Sequence, residues 1–199
     1  MTPEVRAIAD RFIYEQATVK HIATLAPEGG LDRPVPGYEW TVRQLLAHLG
    51  QSLNDYAEMV RNWLLGEPPV PHGWDPGKVN AQTAARYKDA SLPEILALLG
   101  SGLNSLIAAL AAIPDDRAAG DFGPRPFLQT FEVFSGHCLE HAIPLLDAIR
   151  EARMDPLVLN WLLDAEFPTE TARAWQETLL QDAREYVANH PDADLEEDE

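Results

Sequence analysis

The stretch TVRQLLAHLGQSLNDYAEMVRNW, residues 41–63, decides the fold class. Thr41 and Gln44 stand in capping-box spacing, where the hydroxyl takes an orphan amide of the first turn and the Gln side chain reaches back to the cap amide. A helix therefore opens here. Val42, Leu45, Leu49, Tyr56, Val60 and Trp63 recur at a period of about 3.6 residues and share one face. A strand would need alternation with a period of two, and β-branched runs of that kind are absent along the whole chain.

The same reading extends outward in both directions. Thr2 and Pro3 supply an N-cap and a proline at the first helical position, followed by the stripe Val5, Ile8, Phe12, Val19 and Ile22. That helix ends near Pro27 and Gly29. Downstream, the prolines of residues 67–77 lack the donor N–H a helix needs and predict a surface loop, with a short helix over 79–88. Ser91 and Glu94 form a second capping box, opening a helix with Ile95, Leu99, Leu103, Leu106 and Leu110 inward and with Gly100 and Gly102 weakening its middle. After a loop over 114–125, a helix from Pro126 carries Phe127, Phe131, Phe134, His137, His141 and Leu145, with Pro144 kinking or ending it.

Segments 2–25, 41–65, 91–113 and 126–150 are thus four amphipathic helices of bundle length, and the fold class is all-α. Two further helices are expected, one opened by Asp155 and Pro156 and one over 169–187. The expected organisation is a bundle over 1–150, a C-terminal helical extension over 151–189 packing on it, and a disordered tail over 190–199, where six of ten residues are acidic.

Composition narrows the function. The chain has 199 residues and 15 Lys+Arg against 32 Asp+Glu, a net charge of −17. Nucleic acid and anionic membranes are bound through dense Lys/Arg contacts to phosphate, which this chain lacks. The single Cys138 forms no intrachain disulfide, no basic and apolar leader opens the sequence, and the longest apolar run, residues 106–113, is far short of the ~20 residues of a membrane helix. A cytoplasmic protein with no membrane span is expected. Twelve Arg against three Lys suggest a GC-rich bacterial source. GxGxxG, P-loop, GxSxG, HExxH and CxxC patterns are all absent.

The histidines remain. His137 and His141 are four residues apart, so they lie one turn apart on one helix face, beside the apolar stripe and facing a neighbouring helix. His48 sits at the margin of its own stripe. This spacing fits a metal site, and it also fits two packed histidines and a third on the surface. Three imidazoles converging between helices would leave a divalent ion with an open position, the arrangement of a catalytic site.

The segment WTVRQLLAHL, residues 40–49, resembles the W-[ST]-V-x-[DEQ]-L-L-A-H-L signature of DinB/YfiT-like four-helix-bundle proteins. His137-Cys138-Leu139-Glu140-His141 looks like their later H-x-x-x-H, and Asn80 with residues 91–96 resembles the intervening segment. The resemblance covers about residues 1–150. It implies a metal, commonly zinc or nickel, held by His48, His137 and His141 in a cleft between helices. The group is related to the N-terminal domains of mycothiol-dependent maleylpyruvate isomerases and includes thiol-dependent S-transferases and isomerases using mycothiol or bacillithiol, hydrolase-like members, and proteins without an assigned reaction. The C-terminal domain of such an isomerase is not matched; two short helices stand in its place.

Such an ion can lower the pKa of bound water or carry a small thiol as its thiolate. The thiol route needs no protein base, because coordination itself favours the deprotonated sulfur. The leading expectation is therefore a thiol-dependent S-transferase acting on a small-molecule electrophile. A metal-dependent hydrolase and a non-catalytic ligand-binding bundle, dimeric through an apolar helix face, are the alternatives. Glu140 points about 100° away from His141 and reads as solvated or as supporting a ligand from outside, Cys138 as a small buried hydrophobe, and Trp40 as a hydrophobic staple. Asp55, two turns beyond His48, bonds a neighbour or meets solvent. The loop bearing His72 and Trp74 is either a lid or plain surface. Arg43 and Arg125 read as surface residues or as attractors of an acidic substrate, and His21 and His190 receive no role.

Overall fold

The computed structural model describes residues 1–165 and 170–189. It is all-α apart from one minute hairpin. Helices α1 (Pro3–Thr24), α2 (Val42–Leu64), α3 (Pro76–Arg86) and α4 (Leu92–Ala111) precede the hairpin β1 (Asp121–Phe122) and β2 (Arg125–Pro126). Helices α5 (Phe127–Ser135), α6 (His137–Ala148), α7 (Pro156–Asp164) and α8 (Glu170–Asn189) follow.

The caps explain the starts. The Thr2 hydroxyl accepts from the Val5 amide at 3.4 Å, and both capping boxes form, Thr41 with Gln44 and Ser91 with Glu94. Helix α3 begins at Pro76, three residues before the apolar pattern, because Asp75 Oδ1 accepts from the Gly77 and Lys78 amides at 2.9 and 3.3 Å. The proline-rich loop is correspondingly shorter than expected.

The expected single helix over 126–150 is in fact two. Gly136 separates α5 from α6 with φ −78° and ψ −4°, at the shallow edge of the right-handed helical region, and its amide reaches back only three residues, to Val133 O at 3.1 Å. Pro144 stands inside α6 without ending it, at the loss of one backbone donor. The break swings His137 onto the first position of α6. The loop over 114–125 is also more ordered than its composition suggests, because Trp63 Nε1 donates to Asp121 O at 2.7 Å and Phe122 packs edge-on to Trp63 and Phe127.

The long helices enclose two apolar clusters. One joins Val19, Ile22, Leu45, Leu49, Leu99 and Leu146; the other is aromatic, with Phe12, Trp63, Phe127 and Phe131. Helix α7 contributes Val158, Trp161 and Leu162 to the first, and α8 contributes Leu179. The tightest crossing is that of α2 with α4. A Cβ at Gly102 would lie 2.5 Å from the Gly50 carbonyl oxygen, so Gly102 is a contact point as much as a weak spot in its helix. By length and composition α4 is apolar enough to cross a membrane; here Ile95, Leu99, Leu106 and Leu110 are fully buried against its neighbours. The acidic run 190–199 lies outside the described residues, as does Thr169, the expected start of the last helix.

Candidate metal centre

The three histidines converge. His48 comes from the second turn of α2, His137 opens α6, and His141 follows one turn later. His48 Nε2 and His141 Nε2 each lie 3.2 Å from His137 Nε2, and the ligand atoms of all three fall within 4.8 Å of one another. His48 is 9% and His141 8% exposed. Burial, reinforced by the neighbouring imidazoles, holds His137 down at about 4 and His141 at about 3. His48 is also lowered by burial, against an opposing hydrogen-bonding influence of the Asn80 side chain, which favours the protonated ring. All three rings are therefore neutral at physiological pH, the protonation state a metal ligand requires.

The nitrogen geometry fits a cation. An imidazole nitrogen carries either one proton or one lone pair, so His137 Nε2 can satisfy one of its two close contacts and leaves the other unmatched. An ion shared by the three nitrogens serves both. Two nitrogens at about 2.05 Å from a tetrahedral zinc stand about 3.3 Å apart, close to the spacing found here.

The surrounding residues orient the rings. Val35-Pro36-Gly37-Tyr38 forms a tight turn in which Val35 O accepts the Tyr38 amide at 3.1 Å and Gly37 takes φ +81°, the conformation that favours glycine after proline. The turn delivers the Tyr38 hydroxyl to His141 Nδ1 at 2.9 Å. Trp40 stacks on Tyr38 and lies against the His48 ring, with centroids 5.6 and 5.1 Å apart. It is thus a wall of the site rather than only the staple its position suggested. Tyr56, stacked on Phe134 at 4.3 Å, presents its ring to His137.

A cavity of about 320 Å³ opens beside the histidines, bordered by Trp40, Ser52, Asp55, Tyr56, Trp74 and Asn80. Of the loop pair, Trp74 reaches this cavity and His72 stays exposed outside it. Glu140 is exposed, and among the described residues the carboxylate bordering the cavity is that of Asp55, two turns along α2 from His48. Cys138 is buried behind them with Gln16 Nε2 2.9 Å from its sulfur, and burial pushes its thiol well up. Arg43 is engaged by Asp32 and the Ala90 carbonyl, Arg125 lies exposed in β2, and His21 pairs with Asp155 at 2.9 Å. Tyr38, Tyr56 and Asn80 had not been singled out as neighbours of the site; for Tyr38 the signal was the Pro36-Gly37 turn just ahead of Trp40.

Four long helical segments with three histidines gathered between α2 and α6 define the class: a DinB-like bundle built around a candidate metal centre. Residues 15–149 match the family described as mycothiol maleylpyruvate isomerase N-terminal domain, and the chain belongs to that family, part of the DinB-like superfamily. No curated protein and no solved structure matches the chain.

Proposed function

We propose that this protein is a metal-dependent S-transferase, joining a low-molecular-weight thiol such as mycothiol or bacillithiol to a small electrophile. The observation that carries the reading is the meeting of the three histidine Nε2 atoms; the family's mycothiol link supports the choice of thiol. His48, His137 and His141 hold a divalent ion, zinc or nickel. When bound, that ion supplies a Lewis-acid position at which a thiol loses its proton at neutral pH.

The chain's own residues do the rest. With His141 Nε2 given to the ion, its Nδ1 carries the proton and donates to the Tyr38 oxygen, which locks tautomer and ring orientation. Asn80, on the other side of the cavity, lies close enough to His48 to act on its ring in the same sense. Trp40, Tyr56 and Trp74 form flat walls that exclude water from the open side. In the transfer itself a carbon–sulfur bond forms, the leaving group departs with its electron pair, and the thiol proton passes to solvent. No protein base is required, in keeping with the exposed position of Glu140.

The test is turnover of small electrophiles by zinc- or nickel-loaded protein with and without mycothiol. The reading expects turnover that requires the thiol and vanishes in His48→Ala, His137→Ala and His141→Ala. Turnover without thiol supports a hydrolase instead.

A further inference from the structure

The cavity beside the histidines has a charge pattern that thiol activation does not use. Asp55 borders it from α2, seven residues beyond His48 and so about 10 Å further along the helix axis. That is too far to ligate an ion alongside His48 and well placed to meet the remote end of a bound molecule. Gln51 Nε2 donates to Asp55 Oδ1 at 2.8 Å and fixes the carboxylate in place.

No Lys or Arg borders the cavity among the described residues. Lys78 lies between two bordering residues of α3, Pro76 and Asn80, but at about 200° around the helix from Pro76 it projects away, and it is exposed. Arg43 is held by Asp32. The other charges acting on the rim are acidic too, Glu58 on Asp55 and Glu140 on Tyr38. The walls are aromatic, and a carboxylate set among Trp and Tyr faces is the chemistry that binds an ammonium group, through ion pairing and cation–π attraction together.

We propose that Asp55 determines substrate specificity at this site, selecting a small flat compound with a positively charged amine at the end remote from the histidines and turning carboxylates away. That the compound is an electrophile rests on the transferase reading above.

The test uses the full chain after chelator treatment, since a bound metal would itself attract carboxylates. Benzylamine, benzyl alcohol and benzoate, similar in size and differing in charge, are titrated at pH 8 against the tryptophan fluorescence of the chain, of whose five tryptophans Trp40 and Trp74 border the cavity. Benzylamine should bind up to about fivefold tighter than benzyl alcohol, with benzoate weakest. Asp55→Asn should reduce benzylamine to the level of the alcohol, and Asp55→Glu should keep the preference. Benzoate binding as tightly as benzylamine, a preference that survives in Asp55→Asn, or no saturable binding of any probe would overturn the proposal. If the Asn variant does not fold, the wild-type order decides. Because no metal or thiol is present, failure here is distinct from failure of the turnover test.

Discussion

His48 Nε2 on α2 stands 3.2 Å from His137 Nε2 at the start of α6, across 89 residues of chain. Two uncharged imidazole nitrogens that close, with a third equally near His137, make a proton network that cannot be completed from within. The same spacing suits ligands sharing one ion. The consequences extend from these rings to the helices that hold them.

Tyr38 is a positioning residue for His141, through the 2.9 Å contact of its hydroxyl with Nδ1. Removing the oxygen in Tyr38→Phe keeps the ring that stacks on Trp40 and takes away the partner of the Nδ1 proton. Zinc affinity, measured by competition with a chromogenic chelator, should fall about tenfold or more. The melting temperature of the metal-free protein should change little, which separates orientation of the ligand from support of the fold.

Gly102 sets the α2–α4 distance. The added Cβ of Gly102→Ala meets the Gly50 carbonyl oxygen at 2.5 Å and Leu53 Cβ at 3.1 Å. Backbone cannot give way as a side-chain tip can, so the expected loss is about 1–3 kcal/mol, more than the propensity gain of about 1 kcal/mol. At Gly100 the new methyl meets only the flexible Lys20 Nζ, at 3.2 Å. Gly100→Ala should therefore be neutral or stabilising in chemical denaturation, while Gly102→Ala should lower the midpoint.

Glu15 on α1 carries a pH dependence. It is 2% exposed, Arg11 Nε donates to one of its oxygens at 3.0 Å, and burial raises its pKa from 4.5 to about 7 despite Arg11. Between these values the unfolded chain gives up a proton that the folded chain retains, so stability falls as pH rises from about 4.5 to 7 and stays low above. Glu15→Gln keeps an acceptor for Arg11 and removes the ionisation. Relative to wild type it should gain on the order of 1–3 kcal/mol at pH 8 over its standing at pH 4.5, read from urea unfolding at the two pH values.

Much of this molecule is legible in its sequence, for reasons that are local. A capping box needs two residues three apart, and both boxes, Thr41 with Gln44 and Ser91 with Glu94, open the helices they predict. The period of about 3.6 put Leu45, Leu99 and Leu145 in the core, where they are at most 1% exposed. What periodicity cannot supply is the neighbour across a gap. Spacing put His137 and His141 on one face and His48 at the margin of its own stripe, which a surface histidine would also fit; resemblance to a family selected the three together. Tyr38, 103 residues from its partner His141, has no periodic signature at all. The break at Gly136 was hidden because apolar residues continue through it in helical register, and the stronger breaker, Pro144, drew attention to the wrong place.

Elemental analysis of tag-free protein, wild type beside His48→Ala and His137→Ala, tests the central claim most directly. The three-histidine centre predicts about one zinc or nickel ion per wild-type chain, lost in both variants while their helical circular dichroism is retained. Wild-type protein that holds no divalent ion even after incubation with zinc and with nickel would contradict it.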